Sequence, residues 1–142
     1  MATEASAFIR QAAALPIRNG RVCLVTSSNG RRWVIPKGLI EPRQTAGETA
    51  LQEAWEEAGL TGVLQTEPVG SYLYEKGGGT CHVTVFVMQV SGAAPQWPEA
   101  DLRQRVWLTP SSAMERIEDP GLVDIIRLVL GRGLKEKIVL EI

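Results

Sequence analysis

At 142 residues, with 44% hydrophobic and 22% charged side chains, the chain suits one domain with a buried core and is too short for two of ordinary size. Its formal net charge of −1 argues against generic binding to nucleic acid or a membrane surface, and no apolar run approaches membrane-spanning length. No repeat or low-complexity stretch is present, so disorder is not expected for the body of the chain.

Met1 to Ser6 is small and polar, with Glu4 where a secretory leader would carry a base, so the expected compartment is the cytoplasm. The expected organisation is a single domain over residues 1–142, with a loose N-terminus at 1–8 and a tail at 134–142. Arg10 to Arg18 and Arg21 to Thr26 read as strands around an Asn19-Gly20 hairpin turn. A second Asn-Gly, at Asn29-Gly30, returns the chain into a third strand at Trp33-Val34-Ile35. Pro36-Lys37-Gly38 ends that strand, and Gly38 to Gln44 reads as a loop. Thr45 with Glu48 forms a capping-box pattern and Gly59 a C-terminal stop, which places a helix at about 46–58. Val69 to Glu75 and Cys81 to Val90 read as strands joined across Lys76-Gly77-Gly78-Gly79, and Arg105 to Thr109 as a shorter one. Pro110 to Arg116 and Gly121 to Leu130 read as helices, the second with Leu122, Ile125, Ile126 and Val129 at helical spacing. Strands in hairpin-like succession interrupted by helices point to an α/β fold, a mixed sheet covered by helices, rather than a purely parallel one. Cys23 and Cys81 lie inside strand-like runs and are expected as packed free thiols. The single histidine, His82, lies on a strand and is expected to be structural, and the four tryptophans are core or rim candidates.

Charge is segregated along the chain. Residues 1–43 hold seven bases (Arg10, Arg18, Arg21, Arg31, Arg32, Lys37, Arg43) against Glu4 and Glu41, whereas residues 44–75 hold six acids (Glu48, Glu53, Glu56, Glu57, Glu67, Glu75) and no base. That pattern suits a site for phosphate and a metal cation, and it also suits two charged surfaces that pair. On the predicted helix, at about 100° per residue, Glu57 lies about 40° and Glu56 about −60° from Glu53, so the three carboxylates share one arc. Ala50, Ala54, Ala58, Leu51 and Trp55 form the apolar stripe beside it. Like charges at this spacing destabilise a helix, and hard oxygen ligands are those preferred by Mg²⁺ or Mn²⁺. A solvated acidic face is the plainer alternative.

From Gly38 to Leu60 the chain reads GLIEPRQTAGETALQEAWEEAGL, which resembles the Nudix box in every spacing. Gly38, Glu53, Glu56, Glu57, Gly59 and Leu60 stand as that pattern demands. Gln44 stands where the family has Glu, Gln52 where it has Arg, and Ala54 where it has a bulky aliphatic. The family's Arg orients the glutamates, so the departures bear on turnover, and the two amides at 44 and 52 could bond to each other instead. The resemblance implies a Nudix fold and Mg²⁺-dependent hydrolysis of a phosphoanhydride bond in a small polyphosphorylated molecule. It implies metal ligation by Glu53, Glu56, Glu57 and the Gly38 carbonyl, with these glutamates catalytic. The general base varies in the family, and Glu75, Glu99 and Asp101 are further candidates. WVIPKG and QWPEADLRQRVWLTPSSAMERI resemble the diphosphoinositol polyphosphate phosphohydrolase branch, while a dinucleoside polyphosphate is the rival substrate. Arg18, Ser27, Ser28, Arg32 and Lys37 are the candidate phosphate contacts. A reading from another class is a non-catalytic phosphate sensor or partner-binding module. Neither nucleic-acid nor membrane partners are expected, and nothing in the sequence sets an oligomeric state.

Overall fold

Four successive apolar residues, Ala12 to Leu15, are fully buried in the first strand, β1 (Ile9–Arg18), because both of its faces are covered. The computed structural model describes residues 8–131; the expected N-terminal extension before Phe8 and the tail at 134–142 lie outside the described residues. Ala13 and Leu15 point into one core with Val83, Val85, Leu122, Ile125 and Ile126. Ala12 and Ala14 point into another with Ala50, Ala54, Ala58, Phe86 and Met88.

The Asn19-Gly20 turn, both residues at positive φ, returns β1 into antiparallel β2 (Arg21–Thr26), which pairs onward with β3 (Trp33–Val34). Then comes β4 (Lys37–Leu39), part of the stretch read as loop: it pairs antiparallel with the start of β1, Gln11↔Leu39 to Ala13↔Lys37. Its three residues follow Pro36 and centre on Gly38, so no alternating pattern marks it. Helix α1 spans Ala46–Ala58 as expected. It leads directly into β5 (Leu60–Leu64), a strand unmarked in the sequence, where Gly62 is obligatory because a Cβ would stand 2.1 Å from the Gln89 carbonyl oxygen. The hairpin of β6 (Gly70–Lys76) and β7 (Gly79–Ala93) turns on Gly77 and Gly78, both at positive φ. β8 (Arg105–Leu108) pairs with β2 and precedes α2 (Pro110–Arg116) and α3 (Pro120–Ile126). The expected helix 121–130 is thus two pieces: Arg127–Gly131 continues α3 as a π-helix and buries Leu130, leaving Val129 only partly covered.

The sheet is mixed. β1 and β7 run parallel at its centre over Ile9↔Cys81 to Ile17↔Gln89, and every other pair is antiparallel. The free edge of β1 passes from β4 to β2, and that of β7 from β6 to β5, so the sheet divides at both sides of its centre. α1 covers one core and α2 with α3 the other. The α1 contact rests on alanines: Ala50, Ala54 and Ala58 are fully buried, while Leu51 and Trp55, expected in the same stripe, stand at its exposed rim. Alanine facing alanine brings helix and sheet close together, and a larger residue at position 54 would overpack the layer at about 1–3 kcal/mol. Cys23 and Cys81 are buried free thiols, and burial pushes the Cys23 thiol up to about 12.

Candidate active site

Both ends of α1 are tied down. Thr45 Oγ1 accepts from the Glu48 N–H at 3.1 Å and Glu48 Oε1 from the Thr45 N–H at 2.8 Å, the reciprocal cap that the sequence pattern implies. Gly59 closes the helix in the left-handed region at φ 67°, and a Cβ there would meet Trp97 at 2.8 Å. The loop over residues 94–104 and the first residue of β8 then take the terminal carbonyls. The Glu99 N–H donates to Glu56 O at 3.0 Å and Trp97 Nε1 to Glu57 O at 2.9 Å. Arg105 Nη1 donates to Ala58 O at 2.7 Å, while its guanidinium lies 4.3 Å over the Trp97 ring. The last turn of α1, which carries the glutamates, is thereby fixed to this loop.

Glu57 is buried, at 8% exposure. Its Oε1 accepts from the Lys37 N–H at 3.2 Å and its Oε2 from Arg103 Nη2 at 3.1 Å. Glu53 lies beside it, one turn earlier on α1. Burial, then Glu57 and Glu56, push the Glu53 carboxyl up to about 8. Burial also raises Glu57, but there the Arg103 guanidinium and the Lys37 N–H oppose it. Gly38 abuts Glu53: a Cβ at position 38 would sit 2.5 Å from its Cδ. Glu56, the next nearest carboxylate, accepts from Gln52 Nε2 at 3.0 Å. Gln52 Oε1 in turn accepts from Gln44 Nε2, and Gln44 Oε1 from Thr49 Oγ1 at 2.9 Å. The two amides at 44 and 52 are therefore bonded to each other and on to Glu56.

The site opens into a cleft of about 320 Å³ lined by Gln11, Ser27, Ser28, Asn29, Arg32, Val34, Lys37, Glu57, Tyr74, Glu75, Lys76 and Arg103. Four of the candidate phosphate contacts meet there. Lys37 Nζ lies 5.1 Å over the Tyr74 ring, and burial lowers its pKa. Arg32 stands 3.8 Å from Asp119. Ser27 Oγ is occupied within its own turn, donating to Asn29 Oδ1 at 2.8 Å and accepting from the Arg32 N–H at 3.1 Å. Arg18 is not brought in. It sits at the far end of β1, seven residues from Gln11 and hence about 23 Å along the strand. Of the further acids, Glu75 lines the cleft and accepts from Thr80 Oγ1, Glu99 pairs with Arg103 at 2.9 Å, and Asp101 lies outside the lining. Arg103, Lys76, Tyr74 and Gln11 were not singled out from the sequence. Arg103 sits in a loop with no periodic pattern, and its pairing with Glu57 spans 46 positions.

Among the described residues no three His, Cys, Asp or Glu side chains converge as a closed metal cage. Mg²⁺ does not require one, since it takes one or two carboxylates and completes its shell with water and phosphate oxygens. Glu53, Glu57 and the Gly38 backbone fit that demand: they form an all-oxygen donor set in a cradle that a Cβ on Gly38 would fill.

The NUDIX domain family matches residues 8–129 of the chain. The chain belongs to that family, one of hydrolases acting on pyrophosphate bonds. Mitochondrial Nudix hydrolase 16 of Arabidopsis thaliana is 32% identical over 127 residues, 84% of this chain and 70% of that protein. Human diphosphoinositol polyphosphate phosphohydrolase 3-alpha is 32% identical over 120 residues, 78% of this chain and 70% of that one. Against Arabidopsis Nudix hydrolase 13, 34% identical, the match spans only 52% of the relative's length. Among solved structures, a NUDIX hydrolase from Nitrosomonas europaea superposes with a TM-score of 0.72 at 18% identity, covering 84% of this chain and 86% of that one. The C. elegans Ap4A hydrolase gives 0.68 at 16% identity, with 84% and 93% covered. At these identities the structures establish the Nudix fold. Within it, Gln44 and Gln52 retain a hydrogen-bonded tie from the loop to Glu56, although neither carries charge.

Proposed function

We propose that this Nudix domain hydrolyses a phosphoanhydride bond in a polyphosphorylated small molecule, with Mg²⁺ or Mn²⁺ held by Glu53, Glu57 and the Gly38 carbonyl, and Glu56 beside them. The observation that carries this reading is the buried Glu57 in the wall of a cleft rich in cations, with the half-buried Glu53 beside it packed against Gly38. Bound there, the metal supplies Lewis-acid charge at the diphosphate and a more acidic water. Glu57, with both oxygens already accepting hydrogen bonds, acts as the fixed anion. No cation pairs with Glu53 among the described residues, so with the metal bound its carboxylate would be a candidate to accept a proton from the attacking water. Lys37, Arg32 and Lys76 hold the phosphates.

For the substrate we favour a densely phosphorylated molecule without a nucleobase, such as a diphosphoinositol polyphosphate, over a dinucleoside polyphosphate. Among the described residues Tyr74 is the only aromatic one lining the cleft, and Lys37 Nζ lies over one face of its ring. Arg116 and Arg105 each lie over one face of Trp33 and Trp97, and neither tryptophan lines the cleft. The human relative named for diphosphoinositol polyphosphate hydrolysis agrees with this choice. A non-catalytic role is less well supported, because the amide chain from Gln44 through Gln52 still holds Glu56. The test is Mg²⁺-dependent phosphate release from a panel of diphosphoinositol polyphosphates, dinucleoside polyphosphates and nucleoside diphosphate conjugates. Preference for the first is expected; preference for a nucleotide refutes the substrate assignment, and no release from any refutes the catalytic reading.

A further inference from the structure

The acidic pair on α1 has no base on its own helix, since Ala46–Ala58 contains neither Lys nor Arg, and Gln52, one turn from Glu56, is neutral. The charge that balances Glu57 comes from the loop over residues 94–104. Arg103 has all three guanidinium nitrogens engaged: Nη2 with Glu57 Oε2 at 3.1 Å, Nε with Glu99 Oε1 at 2.9 Å and Nη1 with the Thr26 carbonyl at 2.9 Å. Its side chain is only 10% exposed. The three acceptors belong to three different elements: α1, the loop itself and the end of β2. A planar guanidinium fixed at three such points cannot swing without breaking two other bonds, so it sets the direction of the carboxylate as well as its charge. The loop is in turn fastened to the end of α1 by Trp97 and by the Glu99 N–H, and Arg105 at the start of β8 adds a third tie. Guanidinium and carboxylate are thus held in one frame.

We propose that Arg103 is the positioning residue of the site, orienting the Glu57 carboxylate toward the metal and the diphosphate from the loop, while Gln52 steadies only Glu56. The proposal rests on the phosphoanhydride-hydrolase reading of the same cleft. Two rival roles give opposite signs. If Arg103 acts only as a nearby positive charge, removing it strengthens binding of a divalent cation; if it contacts substrate phosphate directly, removing it raises KM and spares kcat.

The decisive measurement is Mn²⁺ affinity of the substrate-free protein by calorimetry or paramagnetic resonance, in wild type, Arg103→Met, Arg103→Lys and Glu99→Gln, with urea unfolding to confirm the fold. A positioning role gives Mn²⁺ binding weaker by about tenfold in Arg103→Met despite the lost positive charge, the usual size for removing a group that orients a ligand. kcat then falls by a similar factor at unchanged KM, with partial recovery in Arg103→Lys. Glu99→Gln, which loosens Arg103 without removing it, gives a smaller loss in the same direction and carries the test if Arg103→Met does not fold. In a Glu57→Gln background Arg103→Met has no further effect on Mn²⁺ binding, because its action passes through that carboxylate. Tighter or unchanged Mn²⁺ binding, a KM effect alone, or additive losses in the double variant would overturn the positioning role. No Mn²⁺ binding by the unmodified protein would overturn the metal-dependent reading along with it.

Discussion

Gly38→Ala tests the contact between β4 and the acidic pair. The added Cβ would stand 2.5 Å from Glu53 Cδ, 2.6 Å from its Oε2 and 2.9 Å from its Cγ, where ordinary contact begins at 3.4 Å. Relieving the closest approach requires a displacement of 3.4 − 2.5, or about 0.9 Å, and the Glu53 carboxylate is the group able to yield. Because it is the end of a flexible side chain, the expected loss of stability is small, about 1 kcal/mol, within the ordinary range for a point substitution. The effect on turnover is much larger, since a misplacement of about 1 Å at a reacting centre costs on the order of a hundredfold. Initial rates of phosphate release, paired with urea unfolding of the same preparations, separate the two quantities. A variant that folds normally yet keeps a rate within about threefold of wild type would show that Glu53 is not where the chemistry occurs.

Lys37→Ala should raise KM most for the most highly phosphorylated substrate, and the effect should shrink with salt, whereas Arg18→Ala, remote along β1, should leave KM unchanged; steady-state kinetics at two ionic strengths distinguish them. Gln52→Arg alone should help little, while Gln44→Glu with Gln52→Arg should recover or increase kcat. The double-mutant cycle should show coupling of about 0.5–3 kcal/mol, because the two side chains are bonded, and strict additivity would contradict that pairing. Glu53 binds its proton more tightly in the folded metal-free protein, at about 8 against an ordinary value of 4.5. Its stabilising contribution is therefore complete below about pH 4.5 and is lost as pH rises through 8. Accordingly, Mg²⁺ binding near pH 7 should release a proton, and release should vanish well above pH 8; calorimetry in two buffers of different ionisation enthalpy reads this directly, and no release at pH 7 would contradict it.

The chemistry was more legible in the sequence than the cleft built around it. Thr45, Glu48 and Gly59 punctuate α1 with local hydrogen bonds, so its limits could be read from four-residue patterns, and the arc of Glu53 and Glu57 followed from helical geometry. The amide pairing of Gln44 with Gln52 was also readable, because the box spacing brings those positions together. β4 and β5 were hidden, since a strand of three residues around Gly38 and one interrupted by Gly62 owe their existence to neighbours, β1 and β7, rather than to alternation of their own. The division of the apolar stripe, with Ala54 buried and Trp55 at the rim, depended on where the sheet stops. Arg103 and Lys76 carried no local signal, because their relation to Glu57 and Lys37 arises only when distant segments fold onto one cleft.

Orthophosphate release from a diphosphoinositol polyphosphate, titrated with Mg²⁺ in wild type and in Glu57→Gln, tests the central claim most directly. Saturable, chelator-sensitive turnover in wild type is expected, with a rate at least about a hundredfold lower in a normally folded Glu57→Gln. Turnover that persists in excess chelator, or that survives in Glu57→Gln, would contradict it.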